Sequence, residues 1–303
     1  MTSSSWPSCQ TLPTESSVKA PCVIGPCEQF FRPAIRHLIE AKDSRWVNIA
    51  FLPHSTEFFQ TLETVDALLI LDSLLKVPEV SYNVDRILSH VAVTHLDFVW
   101  DYFGRRLEHP GNSVEGIRYD AVPYQLHHLK TPMASEPGLA TAKTRGWFET
   151  NSRLFSYRGG RLLAAAFPTM TEAFADALLA EIAEGRLEDA RFVVAVMTNY
   201  HGEETTHGIL KALIRMFPDD EMVEDGVARS IRNTGVVSGE FGFVKALRAK
   251  KALIQPWLEE DGAVGKFAAE LTRSLDRAIL SEKRRADARK ALREIEFDNN
   301  DEE

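Results

Sequence analysis

Residues Leu253–Leu275 read LIQPWLEEDGAVGKFAAELTRSL. Leu253, Ile254, Trp257 and Leu258 close one apolar run, a short acidic and glycine-containing turn follows, and Val264, Phe267, Ala268, Leu271 and Leu275 then recur three or four residues apart. That spacing places the second set on one face of a helix, so the stretch predicts two helices joined by a tight turn. Ala268 is small enough to let the pair approach closely. Upstream, Ala177–Ala190 (ALLAEIAEGRLEDA) has the same shape, one helix closing at Gly185 and another opening near Leu187. A weaker copy opens near Val223 or Val227. Leu187 and Val227 are 40 residues apart, and Val227 and Val264 are 37 apart.

Working outward, Phe31, Ile35, Leu38 and Ile39 form one apolar stripe, and Phe58, Leu62, Val65, Leu68 and Leu69 form another. Helices are expected over Asn83–Val91, Thr94–Leu107, Val122–Leu129, Leu139–Phe148, Thr171–Ile182, Leu187–Asn199, Glu204–Met216, Asp220–Arg232, Phe243–Trp257 and Ala263–Ile295. Thr94 and the Thr169–Glu172 segment supply helix caps, and Pro123 suits a first turn. Phe192–Met197 (FVVAVM) is β-branched enough for a buried strand, but Leu187, Ala190 and Tyr200 around it favour a buried helix. The absence of regular βα alternation argues against Rossmann and barrel folds.

The 253–275 segment resembles a HEAT repeat, two antiparallel helices that stack on the next pair. The resemblance has motif support over residues 170–280 and rests on helix pairs alone over 28–169. The two spacings lie near the ~40–47 residues of HEAT and armadillo units. Where the HEAT pattern carries an arginine after the valine, this chain has Gly265, which removes a usual contact between repeats. The resemblance implies an all-α fold of stacked antiparallel helix pairs, a HEAT-like α-solenoid, whose concave side binds another protein or an extended ligand. Neighbouring pairs bury apolar faces that none can bury alone. The expected organisation is an N-terminal arm over 1–26 broken by Pro7, Pro13, Pro21 and Pro26, a helical repeat domain over 27–296 and an acidic tail over 297–303.

The chain has 303 residues and a formal net charge of −9. A domain that grips nucleic acid normally carries positive charge, because phosphate neutralisation supplies most of its affinity. The balance argues against nucleic acid and against an anionic membrane surface. The three cysteines, Cys9, Cys22 and Cys27, form neither a disulfide framework nor a usual zinc spacing. Together with the start MTSSSWPSCQ, which lacks the basic and apolar regions of a secretory signal, they lead us to expect a cytoplasmic protein. The longest apolar stretch, Ala67–Leu71, is too short to span a bilayer.

Five clusters invite chemistry. His201-Gly-Glu-Glu-Thr-Thr-His207 approaches the zinc motif HExxH, but its histidines are six apart with Gly202 between them; Glu203 or Glu204 shares a helical face with His207. A loop leading into a helix whose first turn carries the two glutamates explains the same string. His90, His95, Asp97 and Asp101 form a second polar group across two helices joined at Ala92–Thr94. His127-His128 predicts one buried and one solvated ring. Gly235–Phe243 (GVVSGEFGF) lacks the preceding strand and lysine of a phosphate loop; it reads as an interhelical turn in which Ser238 caps the next helix and Phe241 and Phe243 anchor it. Tyr157-Arg-Gly-Gly-Arg161 reads as a basic turn before the apolar LLAAAF stretch, either a connector into a buried helix or a turn able to hold an anion. None of these is assigned a catalytic, cofactor-binding or metal role. The expected function is a non-enzymatic scaffold or adaptor that binds a protein partner. The alternative is an enzyme on a helical-repeat scaffold. One form is a DNA glycosylase, for which Arg105-Arg106 and Arg284-Arg285 would supply positive charge; the other is a metal-dependent hydrolase using His201, Glu204 and His207.

Overall fold

The computed structural model describes residues 26–49, 58–59, 62–109 and 119–300. Among these the protein is all-helical, with 13 α-helices, two short 3-10 turns and no strand. The helices are α1 (Pro26–Glu40), α2 (Trp46–Ile49), α3 (Thr64–Leu74), α4 (Tyr82–Glu108), α5 (Lys130–Ala134), α6 (Pro137–Thr150) and α7 (Ser152–Ala166). They continue as α8 (Glu172–Ile182), α9 (Leu187–Met197), α10 (His207–Met216), α11 (Glu221–Arg232), α12 (Gly242–Ile254) and α13 (Ala263–Asn300). Residues 1–25 of the expected arm, with Cys9 and Cys22, lie outside the described residues, as do 301–303 of the expected tail. No described helix is long and apolar enough to cross a membrane.

The second half of the chain has a regular packing order. The helices α6, α8, α10 and α12 begin at Pro137, Glu172, His207 and Gly242, 35 residues apart each time. Each is followed by a second helix. The second helices α7, α9 and α11 pack on one another in turn, and the first helices α6, α8 and α10 do likewise. The buried positions repeat with the chain. Asp189, Phe192, Val193, Val196 and Met197 of α9 recur 34 residues on as the buried Val223, Gly226, Val227, Ser230 and Ile231 of α11. The C-terminal ends of the second helices are tied together: Tyr200 Oη donates to the Phe167 carbonyl at 2.6 Å, and Ser230 Oγ donates to the Met197 carbonyl at 2.8 Å. The three helices therefore run parallel.

Two glycines set the closeness of this row. A Cβ on Gly160 would lie 2.6 Å from Asn199 Nδ2 and 3.0 Å from the Ala195 carbonyl oxygen, and one on Gly226 would collide with the Val194 side chain. This explains a correction to the sequence reading. Tyr157–Arg161 is not a turn but the middle of α7, capped by Asn151 accepting from the Leu154 amide at 3.1 Å; Gly160 of its Gly-Gly pair permits helix contact rather than chain reversal. Gly265 has a similar cause, because its Cβ position is filled by the Glu260 carbonyl oxygen at the end of the 3-10 turn Gln255–Glu259.

The first half is organised by α4. Its 27 residues are two helical segments, as expected, but they meet at a kink at His95 (φ −138°, ψ 51°) rather than at Ala92–Thr94; the Thr94 hydroxyl meets His95 Nδ1 at 2.8 Å. Val122–Leu129 is not helical. Its apolar residues Val122, Leu126 and Leu129 have helical spacing and are buried, but the His128 amide donates to the Asp85 carboxylate at 2.6 Å, an acceptor outside the segment. The strand alternative at Phe192–Met197 is resolved as helix α9.

Candidate functional site

The HGEETTH string spans the joint between α9 and α10. His201 and Gly202 both take left-handed backbone angles (φ 54° and 56°), which turns the chain sharply. A Cβ on Gly202 would sit 2.6 Å from Ile231 Cα, so only glycine fits. Glu203 and Glu204 are exposed. His207 is buried: Trp257 Nε1 donates to its Nδ1 at 3.3 Å and the two rings meet edge to face, while its Nε2 has no partner among the described residues. Burial, with Lys211 and Lys250 adding to it, holds His207 below the usual histidine range against the opposing pull of the Gly202 backbone and Glu204. The His201 carbonyl accepts from Lys250 Nζ. The two histidines thus serve separate packing contacts. Among the described residues no three histidine, cysteine or acidic side chains gather in a way that could hold a metal.

The other polar groups also disperse. His90 stacks on Phe59 at 5.8 Å and is held below the usual range by burial, then by Arg86 and His128. His95 meets the Thr64 hydroxyl at 3.3 Å, and Asp101 accepts from Lys143 at 2.6 Å. His127 and His128 are both exposed, beside Tyr82, so neither is the buried ring that was expected. Ser238 does not cap α12, whose N-terminal boundary is Phe241 with no side-chain cap; Phe243 is exposed rather than anchored. Gly235–Phe243 does join α11 to α12.

The paired arginines do not form a basic face. Arg105 donates to Asp72 at 2.5 Å. Arg106 is fully buried, and all five of its N–H groups are used: it donates to the carbonyls of Val77, Pro78 and Asp120 and to Tyr119 Oη, with its guanidinium 4.4 Å over the Tyr119 ring. Burial raises the neighbouring Tyr102 hydroxyl to about 12 against the pull of this cation. Arg285 pairs with Glu282 at 2.7 Å.

A groove of about 570 Å³ crosses the row of second helices α7, α9 and α11. Phe148, Val194, Ala195 and Gly226 contribute small or apolar lining, and Tyr157 and Met222 stand 65% and 62% exposed within it. Each second helix contributes one arginine: Arg153, Arg191 and Arg229. Arg191 donates to Glu188 at 2.6 Å, leaving its Nε buried and unpaired. The side chains of Arg153 and Arg229 are exposed and have no ion-pair or hydrogen-bond partner among the described residues. Asp225 is also in the lining. Of these residues only Tyr157 belongs to a cluster that stands out in the sequence. The available signal was the equal spacing of the three arginines, 38 residues each time.

No family model, no curated protein and no solved structure matches this chain.

Proposed function

We propose that this protein is a non-enzymatic scaffold or adaptor, built as an α-solenoid of helix pairs, that binds a protein partner in the groove over α7, α9 and α11. The groove itself carries the reading: it spans three successive repeats, offers exposed tyrosine and methionine, and leaves two arginines unengaged. Tyrosine supplies rigid contact area with a polar tip, and methionine adapts to varied surfaces. The 35-residue spacing of helix starts and the 34-residue recurrence of buried positions support a stacked repeat in which each unit leans on its neighbours. That period is shorter than the ~40–47 residues of HEAT units and near the 34 of tetratricopeptide units, so the general solenoid is better supported than the HEAT name.

A photo-crosslinking amino acid placed at Tyr157, at Met222 and, as a control, at the fully exposed Val236 tests the reading in native cells. The expected result is one discrete protein adduct at the first two positions and none at the third. No adduct at Tyr157 and Met222, or equal labelling at all three, contradicts it.

A further inference from the structure

Resting on that reading, we infer that the groove takes an extended peptide segment bearing carboxylates three residues apart. Equivalent buried positions on the second helices recur every 34 or 35 residues, whereas Arg153, Arg191 and Arg229 recur every 38. Each arginine is therefore displaced three or four residues further along its helix than the one before. At 1.5 Å per residue that is a shift of about 5 Å along the helix axis. Packed helices lie about 8–10 Å apart. The arginines thus form a diagonal ladder with a backbone spacing of roughly 10 Å. A polyproline-type extended chain has three residues per turn and rises about 3.1 Å per residue, so every third side chain of a bound segment returns to the same face and meets the next rung.

The charges select the sign of the partner. Arg153 and Arg229 lie at the two ends of the ladder without partners among the described residues, and the middle rung, Arg191, has a buried, unpaired Nε. Guanidinium groups bind carboxylates through paired hydrogen bonds. Glu188 and Asp225 in the same groove disfavour a polyphosphate backbone, which presents a negative charge at every unit. Glu188 also occupies Arg191 in the free protein, so a partner carboxylate at this rung takes the place of an internal one. The exposed Tyr157 and Met222 accept the side chains between the acidic positions.

Fluorescence anisotropy with the full chain tests this. The probes are a labelled peptide of about 12 residues in Glu-Pro-Ser repeats, which favours the extended form, a peptide of the same composition with its glutamates contiguous, the Lys-Pro-Ser counterpart and a single-stranded oligonucleotide. The spaced glutamate peptide is expected to bind best and to weaken with salt. The double variant Arg153→Glu/Arg229→Glu, exposed at both sites, is expected to lose about tenfold or more in affinity with an unchanged thermal melt. Equal binding of the contiguous peptide, better binding of the lysine peptide or the oligonucleotide, or an unaffected double variant overturns the inference. Photo-crosslinking on the double variant separates the two failures. A partner still captured at Tyr157 and Met222 removes the acidic segment but leaves the scaffold reading; no capture there by the unaltered arginines removes the scaffold reading.

Discussion

Between residues 62 and 134 two helical segments kinked at His95 organise irregular surroundings; between 137 and 254 short helices each pack on their neighbours in the chain. The first region holds irregular backbone with polar staples. Arg106 gathers three carbonyls from two loops, and Asp85 holds the His128 amide. The second region repeats an apolar stripe and uses glycine where helices come closest. Both share one device: a buried aspartate in the first turn of a helix held by two arginines, Asp66 of α3 by Arg32 and Arg36, and Asp189 of α9 by Arg145 and Arg186. In Asp189, burial pushes the carboxyl up but the two arginine hydrogen bonds outweigh it and hold it below its ordinary value. Backbone that cannot satisfy itself needs specific donors, whereas backbone satisfied within helices leaves side chains free to repeat.

The largest effect is expected in the first region. Arg106→Ala should cost about 3–5 kcal/mol, since it strands buried carbonyls and empties a large volume. If the stack is held by neighbours only, calorimetry should show an early transition for the first region and a later one for the second; one unsplit transition lowered throughout would erase the contrast. Gly202→Ala should cost about 2–4 kcal/mol, from left-handed strain plus collision with the Ile231 backbone, and denaturant unfolding should place the loss in the second region. Tyr200→Phe should cost about 1–2 kcal/mol by leaving the Phe167 carbonyl without its donor. A value near zero would mean that the ties between second helices contribute nothing.

The smallest effect is in pH. His207 in the second region and His90 in the first are both held below the usual histidine range. Each binds its proton less readily folded than unfolded, so the stability it lends is complete above the unfolded value near 6.5 and is lost as pH falls below it. His207→Leu should flatten that acid-side slope for the later transition, and His90→Leu for the earlier one, in melts recorded from pH 7 downward.

Helix class was legible because stripes such as Val264, Phe267, Leu271 and Leu275 have the right period and are buried. The spacing of the helix pairs was less so. Leu187 opens a helix, Val227 lies inside one and Val264 follows a longer connection, so their spacings of 40 and 37 compare unlike positions; the first helices start 35 residues apart, and the second helices 35, 34 and 42 apart. The turn read at Tyr157–Arg161 failed because a glycine pair marks either chain reversal or close helix contact, and only the facing Ala195 and Asn199 decide which. Val122–Leu129 failed because the deciding acceptor, Asp85, lies 43 residues away. The groove was invisible for the same reason. Arg153, Arg191 and Arg229 each read as an ordinary polar surface position until three helices are placed side by side.

Hydrogen exchange of the full chain, alone and with the partner captured at Tyr157, tests the central claim most directly. The account predicts that binding slows exchange together in α7, α9 and α11 while α6, α8 and α10 stay as they were. Protection confined to the first helices, or to residues 201–207, would contradict it.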